Sequence, residues 1–190
     1  MIEYCGWLLD VYEDEEAGVI LWLAGEDGRR HRLTQAFPVT FYAAGPFPRL
    51  RELWRYLSNQ PIPVHLSRGQ RRDLFTGLLD VLAIQTPGPV QQNRLFWAMR
   101  DRFPDLDYFD ADIPVALRHG AAFQLFPLAH CRVSTSEDGR ILAISPLDSP
   151  WDLDVAWPPL RLLTIEPDVD PDHAAPTSLV VKYEGSINHI

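Results

Sequence analysis

The chain has 190 residues, 46% of them apolar, which suits a globular protein with a packed core and is long for one domain. Its net charge of −9 argues against wholesale wrapping by nucleic acid and leaves room only for a local basic patch. The opening MIEYCGWLLD has no basic region, and no apolar run is long enough to span a bilayer, so a cytoplasmic protein with no membrane contact is expected.

Residues 2–12, 19–25 and 29–34 read as three strands. Glu13 to Gly18 forms an acidic turn between the first two, and Glu26-Asp27-Gly28 a tight turn between the second and third. The carboxylates of the acidic turn lack ligand spacing and read as solvated hairpin surface. This meander occupies 1–36. Cys5 within it and Cys131 far downstream have no paired spacing, and read as reduced, buried thiols rather than a disulfide or a zinc site.

The rhythm changes at Val39. A strand over 39–44 leads to Pro46 and Pro48, which open a helix with Leu50, Leu53, Trp54 and Leu57 at i, i+3, i+4 and i+7. Strands follow at 62–66 and, mostly, 78–84. Pro89 then starts a helix carrying Leu95, Phe96, Met99 and Phe103, which Pro104 stops; LDYFDA (106–111) is a last strand. The order over 39–111 is β-α-β-β-α-β, a ferredoxin-like split βαβ that RNA-recognition modules also use. Such modules stack bases on sheet aromatics. Only Phe41 and Tyr42 are on offer here, and core or flanking positions are the competing reading.

A short helix, VALRHG, follows Asp112-Ile113-Pro114 and is expected to close at Gly120. Leu128–Ser134 and Arg140–Ser145 form a hairpin across Glu137-Asp138-Gly139, within 127–146. The proline-rich stretch from Pro146 to Pro159 is the expected boundary between a domain over 1–150 and a second over 151–190. Beyond it, Leu160, Leu162, Leu163 and Ile165 form an apolar run, expected as a buried strand. The run ends in Glu166 and Asp168, whose i, i+2 spacing places both carboxylates on one face, as oxygen ligands of a divalent metal require. Asp170, Asp172 and His173 either add to such a cluster or form a polar turn. Leu179–Glu184 is a further strand, and the second sheet is expected to be incomplete at Ile190.

Basic residues concentrate in two places. Arg49, Arg51 and Arg55 lie on the first helix away from its apolar stripe, and Arg68, Arg71 and Arg72 lie in SRGQRRD. They are either a phosphate-contact surface or a solvated face balanced by neighbouring acids. No histidine pair, nucleophile elbow or phosphate-binding glycine loop is present, so no complete catalytic set is expected.

Three stretches together resemble family B DNA polymerases, the bacterial DNA polymerase II branch in particular. They are GWLLDVY…GVILWLAGEDG, LDYFDADIPVALRHG and PPLRLLTIEPDV, in the family's order and separation. The resemblance implies an α+β N-terminal polymerase domain that routes single-stranded template or primer-template DNA. The first strands of a ribonuclease H-like 3′–5′ exonuclease sheet would follow it. It places Glu166 and Asp168 on the first exonuclease motif, with the acidic order exchanged and Pro167 between, and so implies Mg2+ or Mn2+ in a longer parent protein acting in DNA replication or repair. From this chain alone it implies neither polymerase nor nuclease activity and no bound cofactor. The competing reading is a stand-alone, non-catalytic module that binds nucleic acid or another protein.

Overall fold

The structure is a computed structural model that describes residues 1–75, 77–158, 163–170, 172–183 and 186–189. It divides into two compact units, Met1–Ala156 and Trp157–Ile190.

The first unit contains two antiparallel sheets. β1 (Ile2–Asp14), β2 (Gly18–Gly25) and β3 (Arg30–Gln35) form the meander. Its first turn closes because Asp14 Oδ1 accepts from the backbone N–H of Glu16 and Ala17, while Gly18 takes a left-handed φ of 89° that a side chain would resist. β8 (His130–Thr135) and β9 (Ile141–Pro146) return to the far side of β1, giving the order β3-β2-β1-β8-β9. Leu8, Val11, Val19, Leu21, Leu23 and Leu33 turn to one face, where Leu125, Ala129, Cys131 and Val133 join them in a core. Cys131 is buried and Cys5 half-buried, both as free thiols.

Between β3 and β8 the chain inserts β4 (Val39–Ala44), α1 (Phe47–Ser58), β5 (His65–Asp73), β6 (Gly77–Thr86), α2 (Pro89–Arg102) and β7 (Asp107–Phe109). The strands form a second sheet in the order β5-β6-β4-β7, antiparallel throughout. β6 therefore lies between β4 and β5, the split arrangement. Leu53 and Leu57 of α1, and Leu95 and Met99 of α2, pack on Phe41, Ala43, Leu82 and Ile84 from one side of the sheet. Each such leucine stabilises the unit by roughly 1.5–3 kcal/mol through burial.

Three expectations are corrected in this unit. β5 begins at His65, not Ile62, and runs through Arg68, Arg71 and Arg72 as far as Asp73. This charged stretch is a strand because β6 supplies a continuous ladder, from His65↔Gln85 to Asp73↔Gly77. α3 (Val115–Phe123) does not close at Gly120. Ala121 and Ala122 carry the helix on, and Gln124 ends it in the left-handed region at φ 58°. Phe41 is fully buried against the helices, so it offers no ring to a base.

The second unit holds β10 (Leu163–Pro167), β11 (Leu179–Tyr183) and β12 (Ser186–His189), an antiparallel sheet in that order. The expected buried strand is instead exposed at all five described positions of β10. β10 is an edge of this sheet, and Pro167 is its last residue, opposite Leu179, where a missing N–H is tolerated. β12 is a strand the sequence pattern did not suggest. Leu160 and Leu162 of the expected apolar run, and Glu184, lie outside the described residues. Among the described residues, no helix is long and apolar enough to cross a membrane.

Candidate nucleic-acid interface

The six arginines fall into three settings. Arg49 is tied down: its Nε and Nη2 donate to the two carboxylate oxygens of Asp105 at 2.7 and 2.5 Å, and Nη1 donates to Glu52. Its guanidinium also stacks on Phe103, 5.1 Å from the ring centre. The hydrogen bonds to Asp105 raise its pKa further above the ordinary arginine value and lower that of Asp105. Arg49 thus joins α1 to the turn after α2, and its charge is already matched.

Arg71 lies on the opposite side of the sheet. Tyr42 and Phe109 face each other there across β4 and β7. Arg71 lies over the Tyr42 ring at 4.6 Å and donates from Nη2 to its hydroxyl at 2.9 Å. Arg72 shares a hollow of about 290 Å3 with these residues, alongside Asp73 and Asp110. Strand alternation separates the two candidate aromatics: Phe41 points to the helices, and Tyr42 to the open face.

Arg51, Arg55 and Arg68 come together. Phe47, Leu50, Arg51, Trp54 and Arg55 recur at i, i+3, i+4, i+7 and i+8, so they line one flank of α1. That flank faces β5, which is an edge strand. Between them is a groove of about 580 Å3. Its floor is apolar, with Leu82 buried and Trp54 half-buried. Arg51 and Arg55 enter from the helix and Arg68 from β5, where its guanidinium stacks 5.0 Å over the exposed Phe47 ring. None of these three arginines has an ion-pair partner among the described residues. Asp80, the single carboxylate among the described residues that line the groove, accepts a 2.8 Å hydrogen bond from Gln70 Nε2.

The carboxylates of the second unit are engaged separately. Glu166 pairs with Lys182 Nζ at 2.6 Å. Asp168 accepts from the Thr177 backbone N–H at 3.1 Å and from the hydroxyls of Thr177 and Ser178 at 2.7 and 3.0 Å. These bonds, the Thr177 hydroxyl first, hold its pKa down to about 2. Asp170 accepts from the Asp172 backbone N–H and pairs with His173, forming a polar turn. Among the described residues no group of three or more histidine, cysteine or carboxylate side chains is placed to hold a metal ion. Glu166 Oε2 and both oxygens of Asp168 are taken up by protein partners rather than left open to a shared Mg2+ or Mn2+ ion.

No family model matches the sequence, and no curated protein matches it. A solved structure does: the family B DNA polymerase from the hyperthermophilic archaeon Pyrobaculum calidifontis, with a TM-score of 0.64 and 21% identity. The chain shares its fold with part of a family B DNA polymerase. The alignment covers 98% of this chain and 26% of the polymerase, so the chain spans about a quarter of that enzyme's length. The match is to an archaeal polymerase and does not single out the bacterial branch. At this identity it establishes the fold alone.

Three residues of the candidate interface were not singled out from sequence as binding residues. Trp54 was legible only as part of the α1 stripe, and Phe47 carried no signal beyond its place at the helix start. Phe109 becomes notable only once β7 pairs with β4 and sets it beside Tyr42.

Proposed function

We propose that this chain is a segment of a family B DNA polymerase that contacts single-stranded template DNA, in replication or repair, through arginines along α1 and the edge of β5. The observation that carries the reading is the polymerase fold over 98% of the chain. That Arg51, Arg55 and Arg68 converge on one groove with no carboxylate partner among the described residues supports it, because phosphate contacts need cations that are not already neutralised. Arg51, Arg55 and Arg68 are the contact residues; Arg49 is a structural clamp. Catalysis is assigned to no residue of this chain. No step is assigned to Mg2+ or Mn2+, since Glu166 and Asp168 are bound up with Lys182, Thr177 and Ser178.

The test is fluorescence anisotropy of a labelled single-stranded oligonucleotide at rising salt. Three phosphate contacts give a slope of about −2 in log K against log salt. Exchanging Arg51, Arg55 and Arg68 for glutamine flattens that slope. Absence of binding at low salt, or binding indifferent to salt, overturns the reading.

A further inference from the structure

We infer that the groove between α1 and the free edge of β5 is a nucleotide site. It takes one nucleotide unit, its base against the apolar floor and its phosphate on the arginine rim. The inference rests on the nucleic-acid reading above and adds to it a defined pocket with a base-binding part.

Size is the first argument. A volume of about 580 Å3 lies within the range of small-ligand clefts, roughly 300–1,000 Å3, and suits a base with its sugar rather than a duplex. Chemistry is the second. The floor combines Leu50 and Leu82 with the indole of Trp54, a surface on which any base can lie flat. Arg51 and Arg55 stand one helical turn apart above it, and Arg68 reaches in from the opposite wall. A phosphate at the mouth meets cations from two sides. Asp80, exposed at the rim of the same groove, has one oxygen held by Gln70, and its carboxylate is a ready acceptor for a base N–H.

Other occupants fit less well. An apolar partner segment would strip water from three unpaired guanidiniums without compensation. An acidic peptide would satisfy the rim, but it would press carboxylates towards Asp80 and leave the Trp54 floor without a planar group. The open face of the same sheet also carries aromatics. There, however, Arg71 already covers Tyr42, and Asp73, Asp107 and Asp110 line the adjoining hollows, where a phosphate would be repelled.

The experiment uses the whole 190-residue chain and compares a labelled oligothymidylate with an abasic strand of equal length. Base stacking on an aromatic floor makes the thymidylate strand bind at least about 5-fold tighter. Trp54→Leu removes that preference, whereas the double variant Arg51→Gln/Arg55→Gln weakens both strands. Because Trp54 also touches the core, a second measurement does not depend on substituting it. A strand carrying 4-thiothymidine, irradiated in the complex, labels a peptide of α1 or β6 that lines the groove. Free thymidine monophosphate that displaces the crosslink assigns the site to a mononucleotide; a crosslink it cannot displace assigns the site to a strand, and either supports the inference. Equal binding of both strands with crosslinks elsewhere overturns the site and leaves the DNA reading standing. Binding of neither strand overturns the DNA reading itself. Polyglutamate that competes as well as oligothymidylate shows an anion surface without a base pocket, and also overturns the inference.

Discussion

Acidification should destabilise the first unit through one residue, His119. The imidazole is fully buried, between Phe37 and Phe123, with ring centres 5.2 and 4.6 Å away. Its Nε2 meets Gln35 Oε1 at 2.8 Å, while Nδ1 is buried with no partner among the described residues. Burial pushes the pKa down to about 4 from an ordinary 6.5. A histidine whose folded pKa is depressed takes up its proton more readily when unfolded. The unfolded state therefore binds more protons as pH falls through 6.5, and stability drops from there until the folded ring also protonates near 4. About 2.5 pH units at 1.36 kcal/mol each give a loss of roughly 3 kcal/mol across that window. Urea unfolding followed by tryptophan fluorescence, at a series of pH values from about 7 to about 4, measures it. His119→Phe keeps an aromatic ring and removes the titration. It is expected to cost about 1 kcal/mol near neutrality through the lost Gln35 bond, and to flatten the pH dependence by the full amount. If wild type and variant lose stability in parallel between pH 6.5 and 4, the buried imidazole is not the cause.

Three further substitutions probe the packing, each read from chemical denaturation. Gly6→Ala places a methyl 2.3 Å from the Ala24 carbonyl oxygen, where β1 and β2 approach, and should destabilise the sheet by about 2–3 kcal/mol or more. Gln124→Gly relieves the left-handed residue that ends α3 and should stabilise by about 0.5–1 kcal/mol. Arg49→Ala breaks the Asp105 clamp on a partly exposed surface and should lower stability only slightly, while the salt dependence of oligonucleotide binding stays as in wild type. A flattened salt slope in Arg49→Ala would place that arginine on the DNA after all.

What could be read in advance follows from where local signals are strong. β4 is bounded by its residues, and α1 by Pro46, Pro48 and the leucine stripe, because periodicity and proline act within a few residues. β5 was misjudged because HLSRGQRRD has no alternating apolar pattern; its strand character comes from β6, which lies next to it only after the hairpin closes. Gly120 looked like a helix end because glycine is common there, yet two alanines after it favour continuation. The arginines show the limit most directly. Spacing placed Arg49, Arg51 and Arg55 on one helix surface, but whether a guanidinium meets a carboxylate depends on Asp105, 56 residues away. The paired acids Glu166 and Asp168 shared a face in the sequence reading, and their separate engagement by Lys182 and by Thr177 with Ser178 depends on which residues β11 and its approach bring opposite them.

The insertion of the split unit between β3 and β8 bears on how the protein is made. The meander leaves the ribosome first, but β1 meets β8 only through pairs such as Ile2 with Thr135, 133 residues apart. At synthesis rates of about 5–20 residues per second this leaves one edge of β1 without its neighbour for about 7–27 s. The inserted unit has mostly shorter connections and can close during that interval, so the nascent chain should hold a folded middle before a finished beginning. Through that interval the uncovered edge of β1, with Leu8 and Val11 beside it, is where a nascent-chain chaperone would have most to protect.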